Sequence, residues 1–493
     1  MPYDLLIRGG TVIDGTGRPS LVADIGVQGD RIVAIDTLTE SATRILEVTG
    51  MVVAPGFIDV HSHDDFALLD RPLCDWKIMQ GVTTEVIGNC GFGAAPASTP
   101  YKEFLQKIGV QLFGPLGDFS WETTTEFYRA LEACPASLNV AALIPHAAVR
   151  YSVLGDENRA PAVHELNKMQ QLVREGMEAG AVGLSTGLFY VPGRYAATEE
   201  VIALTQVVAK YGGLYATHMR DEADHLLDSI RETLRIGEEA GVPVQISHHK
   251  AMGRKNWGKV AESLALVERA RQRGLDVTAD AYPYTAGSTT LAALARGGAL
   301  ALVTPAEVLI ASTPRHHEYE GKTLEELCRL IGKPLQETVS ALVAEEGEGV
   351  VAVIFGMDEA DVRQVLAHPT TMIGSDGIPS VAGKPHPRLY GTFARVLGTY
   401  VREEHLFALE DAVFRMTGLP AQKFCLTDRG VIRAGAYADL VVFNPQVVAD
   451  VGTYQEPRRY PPGIDYVIVN GKITADHGHH TGERSGRLLR HRR

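Results

Sequence analysis

Short apolar runs alternate with amphipathic stretches along most of this chain, from about residue 55 onward. Runs such as FIDVHSH, TTEVIGNC and LNVAALIPH are separated by stretches such as VHELNKMQQLVREGMEAG, in which apolar residues recur at helical spacing. Eight apolar runs follow one another in this way, and the last is TTMIGSDG. Eight strands with intervening helices predict an α/β fold, a (β/α)8 TIM-type barrel over residues 55–429.

The two ends of the chain have a different pattern. The first fifty or so residues read as strands in hairpins, with apolar runs punctuated by Gly and Asp. The segments GVIRAGAYADLVVFNP and DYVIVNGKIT near the other end have the same pattern of short apolar runs separated by turn residues. We therefore expect residues 1–54 and 430–480 to form one small composite β-domain beside the barrel.

An insertion separates the seventh and eighth predicted strands, at residues 286–368. It contains helical segments such as LEELCRLIG and LQETVSALVAEEG. Loops at this end of a barrel surround the active site, so the insertion is a candidate lid or substrate cap. A purely structural elaboration is an equal alternative.

Composition narrows the class of protein. The chain has 493 residues, 45% hydrophobic content and a formal net charge of -13, which gives no electrostatic footprint for nucleic acid or an anionic membrane. The basic end RSGRLLRHRR is interpreted as a solvated tail. The N-terminus lacks the features of a signal peptide, and no apolar run is long enough to span a bilayer, so a cytoplasmic protein without membrane partners is expected. Nothing indicates an oligomeric state.

Five cysteines are too few and too scattered for a disulfide framework. They are Cys74, Cys90, Cys134, Cys328 and Cys425.

The stretch FIDVHSHDD places two histidines, His61 and His63, at the end of the first predicted barrel strand. Residues i and i+2 of a strand point to the same face, so both imidazoles can reach one point. That is a metal-ligand geometry, but a histidine pair also occurs by chance or as core histidines. The rest of the chain must supply the other ligands.

Other strand ends carry further donor side chains. Cys90 ends the second strand, His146 the third, His218 the fifth, His248 the sixth and Asp376 the eighth. Each has an ordinary structural alternative, such as a buried thiol, a core histidine or a helix cap. Because the strand ends of a barrel converge on one face, their joint placement predicts a metal site.

This donor set favours zinc over magnesium or calcium. Cys90, His218 and His248 supply three ligands and leave a fourth position for water, as a catalytic zinc requires. His61, His63 and Asp376 are then available for an optional second metal. Asp376 is also placed to act as general base and then general acid, so the predicted chemistry is hydrolysis of an amide or a related bond.

Several motifs resemble the amidohydrolase superfamily and, within it, the D-aminoacylase family (N-acyl-D-amino-acid deacylases). The superfamily resemblance rests on VAPGFIDVHSH, the order of ligands and GVIRAGAYADLVVFNP. The narrower one rests on GNCGFG, STGLFYVPG, THMRDE, SHHK, DAYPYTAGST and GSDGIP followed by HPRLYGTFARVLG. It covers nearly the whole chain except the insertion.

The resemblance implies deacylation of N-acyl-D-amino acids by a zinc ion held tightly on Cys90, His218 and His248. It implies a weak or optional second site at His61, His63 and Asp376, with Asp376 as the catalytic acid/base. Family matches for the groups that bind the substrate α-carboxylate and line the pocket are Lys250, Tyr282, Ser288, Arg388 and Tyr190. The alternative for Arg388 is a structural ion pair with the helix or loop after the eighth strand.

Side-chain preference depends on residues near the seventh strand and the insertion. Arg296, in LAALARGG, suits an acidic substrate side chain if it points inward. On this residue we favour N-acyl-D-glutamate over hydrophobic substrates.

Two other functions compete with deacylation. One is cyclic amide hydrolysis of the hydantoinase or dihydroorotase type, in which relatives commonly depend on a modified lysine; here AVGLSTGL, the fourth strand, ends without a lysine. The other is a barrel that has lost catalysis and serves as a binding scaffold. Retention of every ligand and of the acid/base argues against the scaffold.

Overall fold

The computed structural model describes residues 3–108 and 119–491. Its strands are β1 Tyr3–Val12, β2 Leu21–Gln28, β3 Arg31–Asp36, β4 Ala42–Glu47, β5 Val52–Pro55, β6 Phe57–Asp59, β7 Val82–Ile87, β8 Asn139–Pro145, β9 Gly183–Gly187, β10 Leu214–His218, β11 Val244–Ile246, β12 Val277–Ala281, β13 Gly287–Thr290, β14 Val308–Ser312, β15 Val351–Ile354, β16 Thr371–Ile373, β17 Leu440–Phe443, β18 Ile464–Val469, β19 Lys472–Asp476 and β20 His479–His480.

The α-helices of the described ranges are α1 Ala67–Asp70, α2 Asp75–Ile78, α3 Thr99–Ile108, α4 Thr124–Ala133, α5 His146–Leu154, α6 Val163–Ala179, α7 Thr198–Ala209, α8 Leu226–Ala240, α9 Val260–Gln272, α10 Leu291–Arg296, α11 Leu324–Ile331, α12 Leu335–Glu346, α13 Glu359–Ala367, α14 Arg388–Arg395, α15 Leu409–Met416 and α16 Gly418–Lys423. A π-helical stretch, Val396–Glu403, continues α14. Within these ranges, no helix combines the length and the apolar character needed to cross a bilayer.

A parallel barrel forms the centre of the molecule. In the described part of the chain its sheet has eight strands, in the order β16-β12-β11-β10-β9-β8-β7-β6. The ring closes between its first and last strands, where Ser62 bridges Gly377 in parallel and the backbone N–H of Asp376 donates to the carbonyl of His61 at 2.8 Å. The predicted barrel is confirmed.

Local sequence explains the barrel elements. Strand β8 is buried along its whole length, which is why it reads as a continuous apolar run rather than an alternating one. Helix α8 buries Leu226, Ile230 and Leu234 along one face. It ends at Ala240 and is followed by Gly241, whose φ of 71° is the left-handed conformation that glycine tolerates at a helix C-terminus.

Both chain ends contribute to a second sheet, as predicted. In the described residues this sheet has nine strands: β20-β19-β18-β17-β5-β1-β2-β3 pair in that order, and β4 adds to β1. The two ends meet where β17 pairs antiparallel with β5, with Leu440 opposite Pro55. The composite β-domain is therefore continuous with the strand that enters the barrel.

The insertion between the seventh and eighth barrel strands builds its own small sheet, in which β13 and β14 flank β15. Helices α10, α11 and α12 supply apolar side chains to a separate core, including Leu294, Leu324 and Leu342. Helix α13 instead packs against α9 and β16, as a barrel helix does. The insertion thus has its own packed core, and residues of its first strand β13 line the cavity described below.

The basic C-terminal segment is not a solvated tail, contrary to the interpretation from sequence. The backbone N–H of Val140 donates to the carbonyl of Arg487, and that of Leu489 donates to the carbonyl of Val140. Arg490 forms an ion pair with Glu132 at 2.7 Å. Backbone pairing with β8 holds this segment, and composition alone does not reveal such pairing.

Candidate functional site

The predicted ligands lie at the carboxyl ends of the barrel strands. His61 follows β6 and Cys90 follows β7, while His218 is the last residue of β10. His248 and Asp376 follow β11 and β16. All five are buried, so the barrel gathers onto one face side chains that are far apart in the sequence.

Three of these residues have an unusual backbone conformation. Cys90, His248 and Asp376 have φ values of 53°, 34° and 49°. Non-glycine residues rarely adopt positive φ, and residues held there are concentrated at functional sites. Glycine makes room for the Cys90 loop, because a Cβ on Gly187 would collide with the carbonyl oxygen of Cys90.

The donor atoms lie close together. His61 Nε2 is 3.2 Å from the Cys90 sulfur, and His248 Nε2 is 3.5 Å from it. His63 Nε2 lies 3.1 Å from Asp376 Oδ1. The His218 and His248 rings are 4.4 Å apart. All six predicted ligands therefore converge.

The site has the composition and compactness that a metal ion requires. Ligand atoms of His61, Cys90, His248 and Asp376 all lie within 4.8 Å of one another, and so do those of a second group formed by His218, Glu222 and His248. Imidazole nitrogens, a sulfur and a carboxylate oxygen form a donor set typical of zinc and related transition metals. The residues present fit such an ion.

Electrostatics favour the ionised forms of two ligands. Burial alone would raise the pKa of the Cys90 thiol, but the neighbouring His61 and His248 lower it well below its usual value. Burial also works against ionisation of Asp376, yet Arg388 and His61 hold the pKa of that carboxyl well below its usual range. A thiolate and a carboxylate are the forms that bind metal.

His146, at the end of the third barrel strand, has a different role. Its Nε2 lies 3.0 Å from a carboxylate oxygen of Glu200, and Arg150 contacts the same carboxylate at 3.1 Å. This is a buried structural ion-pair cluster. His146 is not part of either group of potential ligands found in the described residues.

Two carboxylates that sequence reasoning missed support the ligand residues. Asp280, near the end of β12, lies 3.1 Å from Nδ1 of His61 and accepts the backbone N–H of His248 at 2.8 Å. Glu222 lies 2.8 Å from Nδ1 of His248. Glu222 stands four residues after His218, and Asp280 one residue before the end of a barrel strand. The sequence shows these positions but not which histidine nitrogens the two carboxylates contact.

A basic and aromatic group adjoins the predicted metal ligands. The Arg388 guanidinium stacks 4.6 Å from the Tyr282 ring, and Lys250 Nζ lies 5.9 Å from the same ring. Arg388 also lies 3.4 Å from the backbone oxygen of Ser288. The four residues predicted to bind a substrate carboxylate are therefore neighbours.

The guanidinium of Arg388 is only partly paired. Its Nη2 contacts Asp376 Oδ2 at 2.9 Å, so the ion pair with the loop after the eighth strand exists. Its Nε and Nη1 are nevertheless buried without a hydrogen-bond partner in the described part of the chain. Buried donors of this kind are costly to leave unpaired.

A cavity of about 430 Å³ opens beside this site. Lys250, Tyr282, Ser288 and Tyr190 are among the residues that line it. The Tyr190 hydroxyl lies 3.1 Å from Thr289 Oγ1 on β13, which connects the loop after β9 to the insertion. The cavity has the size of a small-molecule site.

Arg296 also lines the cavity, but it already has a partner. Its guanidinium contacts both carboxylate oxygens of Glu348, one of them at 3.1 Å. The two side chains are 47% and 37% exposed. Arg296 is therefore positioned at the cavity wall as an ion pair and not as a free cation.

Comparison with known proteins agrees with the fold. The profile described as "Amidohydrolase family" matches residues 45–475. A D-aminoacylase of Alcaligenes xylosoxydans xylosoxydans is 45% identical over 493 residues, covering 99% of this chain and 98% of that protein.

Two solved structures are also similar. One is an N-acyl-D-glutamate deacylase of Bordetella bronchiseptica, complexed with zinc and a phosphonate inhibitor that mimics the tetrahedral intermediate; it is 40% identical with a TM-score of 0.91, covering 99% of this chain and all of that one. The other is a structure of D-aminoacylase determined to define the role of its binuclear metal centre. It is 44% identical with a TM-score of 0.90, and the match covers 99% of this chain and all of that one.

The fold and the site thus define a metal-dependent hydrolase. The chain belongs to the amidohydrolase family and, within it, to the D-aminoacylase family.

Proposed function

We propose that this enzyme hydrolyses the amide bond of N-acyl-D-amino acids, giving a carboxylate and a free D-amino acid, with one tightly held zinc ion. The observation that carries the proposal is the meeting of the Cys90 sulfur with the imidazoles of His61 and His248, at 3.2 and 3.5 Å, beside a cavity lined by Lys250 and Tyr282. Similar proteins named for this activity support it.

Cys90, His218 and His248 are the proposed ligands of the tight zinc ion. A zinc ion held there would supply Lewis-acid polarisation of the amide carbonyl and acidification of water. His61, His63 and Asp376 are the proposed ligands of an optional second ion. The similar D-aminoacylase has a binuclear centre in which one metal activates the enzyme and a second attenuates it. This behaviour supports unequal roles for the two sites proposed here.

Asp376 is the proposed proton carrier. Its Oδ1 lies against His63 and its Oδ2 against Arg388, so the carboxylate has a fixed orientation at the cavity wall. It would take the proton of the attacking water and return it to the leaving nitrogen, as a general base and then a general acid. The lowered pKa of Asp376 keeps it ionised for the first of these transfers.

Recognition of the substrate α-carboxylate is assigned to Arg388, Lys250, Tyr282 and Ser288. Arginine offers paired N–H donors that match a carboxylate, and lysine and tyrosine add further donors. The unpaired Nε and Nη1 atoms of Arg388 support this assignment within the described residues.

Cyclic amide hydrolysis is the second candidate. Relatives with that activity commonly use a modified lysine, and the fourth strand here ends at Gly187, where an added Cβ would collide with the Cys90 carbonyl oxygen. No side chain fits at that position without displacing the Cys90 loop. This contact favours the deacylase function.

For the substrate side chain we retain the preference for N-acyl-D-glutamate over hydrophobic substrates. The ion pair of Arg296 with Glu348 is partly exposed to solvent, and exposed pairs contribute only about 0–1 kcal/mol. A glutamate carboxylate in the cavity therefore competes with Glu348 for Arg296 at little cost.

A substrate screen tests the proposal. Release of free amine is measured from N-acetyl-D-amino acids and from their L-enantiomers. Ring opening to the N-carbamoyl amino acid is measured separately with hydantoin or dihydroorotate. Hydrolysis of the D-series alone is expected. Ring opening without deacylation would support the second candidate, and a protein without either activity or bound zinc would be a scaffold.

A further inference from the structure

Glu222 is a carboxylate beside the proposed metal ligands, with its side chain 11% exposed, and has no role in the mechanism above. It lies four residues after His218, in the loop that follows β10. Its Oε1 accepts a hydrogen bond from Lys250 Nζ at 2.7 Å and lies 2.8 Å from His248 Nδ1. One oxygen thus serves two neighbours.

Those two neighbours are themselves in contact. Lys250 Nζ lies 2.8 Å from His248 Nδ1. An ammonium group can donate hydrogen bonds but cannot accept one. A hydrogen bond between Lys250 and His248 would therefore require Nδ1 to be the unprotonated nitrogen of the ring. Nε2 would then carry the proton of the neutral ring.

The protonation of His248 decides whether the residue can bind metal. Its Nε2 faces the Cys90 sulfur at 3.5 Å and is the nitrogen directed at the proposed metal site. A ligand nitrogen needs a free lone pair, and the other ring N–H is ordinarily held by a carboxylate or carbonyl. Lys250 as donor to Nδ1 would place the proton on the wrong nitrogen.

We propose that Glu222 is a positioning residue that fixes His248 in its metal-binding tautomer by accepting Nδ1–H and by giving the adjacent Lys250 ammonium an acceptor other than that nitrogen. The inference rests on the proposed metal site. Because Lys250 is also assigned to the substrate carboxylate, Glu222 lets a cation stand beside a metal ligand without disabling it. The same carboxylate thereby serves metal binding and substrate binding.

Direct ligation by Glu222 is the competing role. Its second oxygen, Oε2, lies 3.9 Å from His218 Nε2, and the ligand atoms of Glu222, His218 and His248 are mutually close. The two roles differ in their dependence on Lys250. A positioning residue becomes dispensable when the competing donor is removed, whereas a ligand does not.

The experiment measures zinc affinity by chelator competition in Glu222→Ala, Lys250→Met and the double variant, in the absence of substrate. Glu222→Ala is expected to weaken zinc binding by about 10- to 100-fold, the range for loss of a group that orients a ligand. The double variant is expected to recover at least about tenfold of that loss. Lys250→Met alone is expected to retain wild-type affinity.

Two further variants distinguish a positioning role of Glu222 from a loss of zinc affinity caused by misfolding. Glu222→Gln keeps an acceptor for Nδ1–H and is expected to lose less affinity than Glu222→Ala. Glu232→Ala removes another partly buried carboxylate of this region, which pairs with Arg220 at 2.8 Å and contacts no proposed ligand. Wild-type zinc affinity is expected for this control. Cobalt-substituted protein adds a spectrum that reports ligand number.

Three results of this experiment would contradict the inference or the function on which it rests. Wild-type affinity in Glu222→Ala overturns the inference. A double variant as weak as Glu222→Ala also overturns it and identifies Glu222 as a ligand. Wild-type protein that binds no zinc overturns the proposed function itself, and because no substrate is used, loss of deacylation alone leaves this test unaffected.

Discussion

Lys77 Nζ lies 2.5 Å from Asp59 Oδ2 beneath the site, and both side chains are fully buried. Asp59 connects this pair to the site. Its Oδ1 accepts the backbone N–H of Ser375 at 2.8 Å and that of His61 at 3.2 Å. A single carboxylate thus joins the first and eighth barrel strands next to two proposed metal ligands.

Replacing Lys77 by Met is expected to destabilise the fold strongly. Removing one partner of a buried ion pair leaves an uncompensated charge and costs about 3–5 kcal/mol. Asp64 and Glu85 also lie within 4 Å of Lys77, so the variant leaves several carboxylates without their cation. The urea midpoint of unfolding, measured by circular dichroism, should fall.

The matched control is Lys255→Met. Lys255 pairs with Asp224 at 2.6 Å, but the side chains are 64% and 44% exposed. Loss of such a pair costs about 0–1 kcal/mol. Equal midpoints for the two variants would contradict a structural role for the buried pair.

Lys423 gives the stability a specific dependence on pH. Burial lowers the pKa of Lys423 to about 8, although Asp276 opposes the shift. The charged form is penalised only in the folded state, so the full penalty applies below pH 8. Between pH 8 and about 10.5 the unfolded chain binds more protons, and this residue makes the folded state more stable as pH rises, by up to about 3 kcal/mol.

The test compares wild type with Lys423→Met across that range. Other titrating groups are common to both proteins, so the difference in unfolding midpoint isolates Lys423. We expect the variant to gain stability relative to wild type below pH 8 and to lose that advantage near pH 10.5. A difference that does not change with pH would refute the assignment.

Substrate preference is tested at the ion pair in the cavity wall. Arg296→Ala should reduce kcat/KM for N-acetyl-D-glutamate relative to N-acetyl-D-leucine. Glu348→Gln should raise that ratio, because it removes the competitor for the Arg296 guanidinium. Wild-type preference for leucine, or glutamate turnover that survives Arg296→Ala, would refute the preference.

Much of the site could be predicted because barrel topology converts strand order into spatial proximity. Cys90 and His248 are 158 residues apart, yet the rule that strand ends converge places them together. The composite sheet was predictable for a similar reason, since both chain ends carry the same strand pattern. These predictions required only the order of the strands and the identity of the residue at the end of each one.

The supporting residues could not be predicted in the same way. The role of Glu222 depends on which nitrogen of His248 it meets, and that of Asp280 on side-chain orientation inside the barrel. Pairing of the C-terminal segment with Val140 depends on the first residues of β8, which precede those that pair with β9. Sequence spacing contains none of these relationships.

Zinc content and turnover in two variants test the central claim most directly. Cys90→Ala should lose the tightly bound zinc and all activity, whereas Asp376→Ala should keep the zinc and lose about a hundredfold to ten-thousandfold in kcat toward N-acetyl-D-amino acids. Retention of zinc by Cys90→Ala together with its loss from Asp376→Ala would contradict the account.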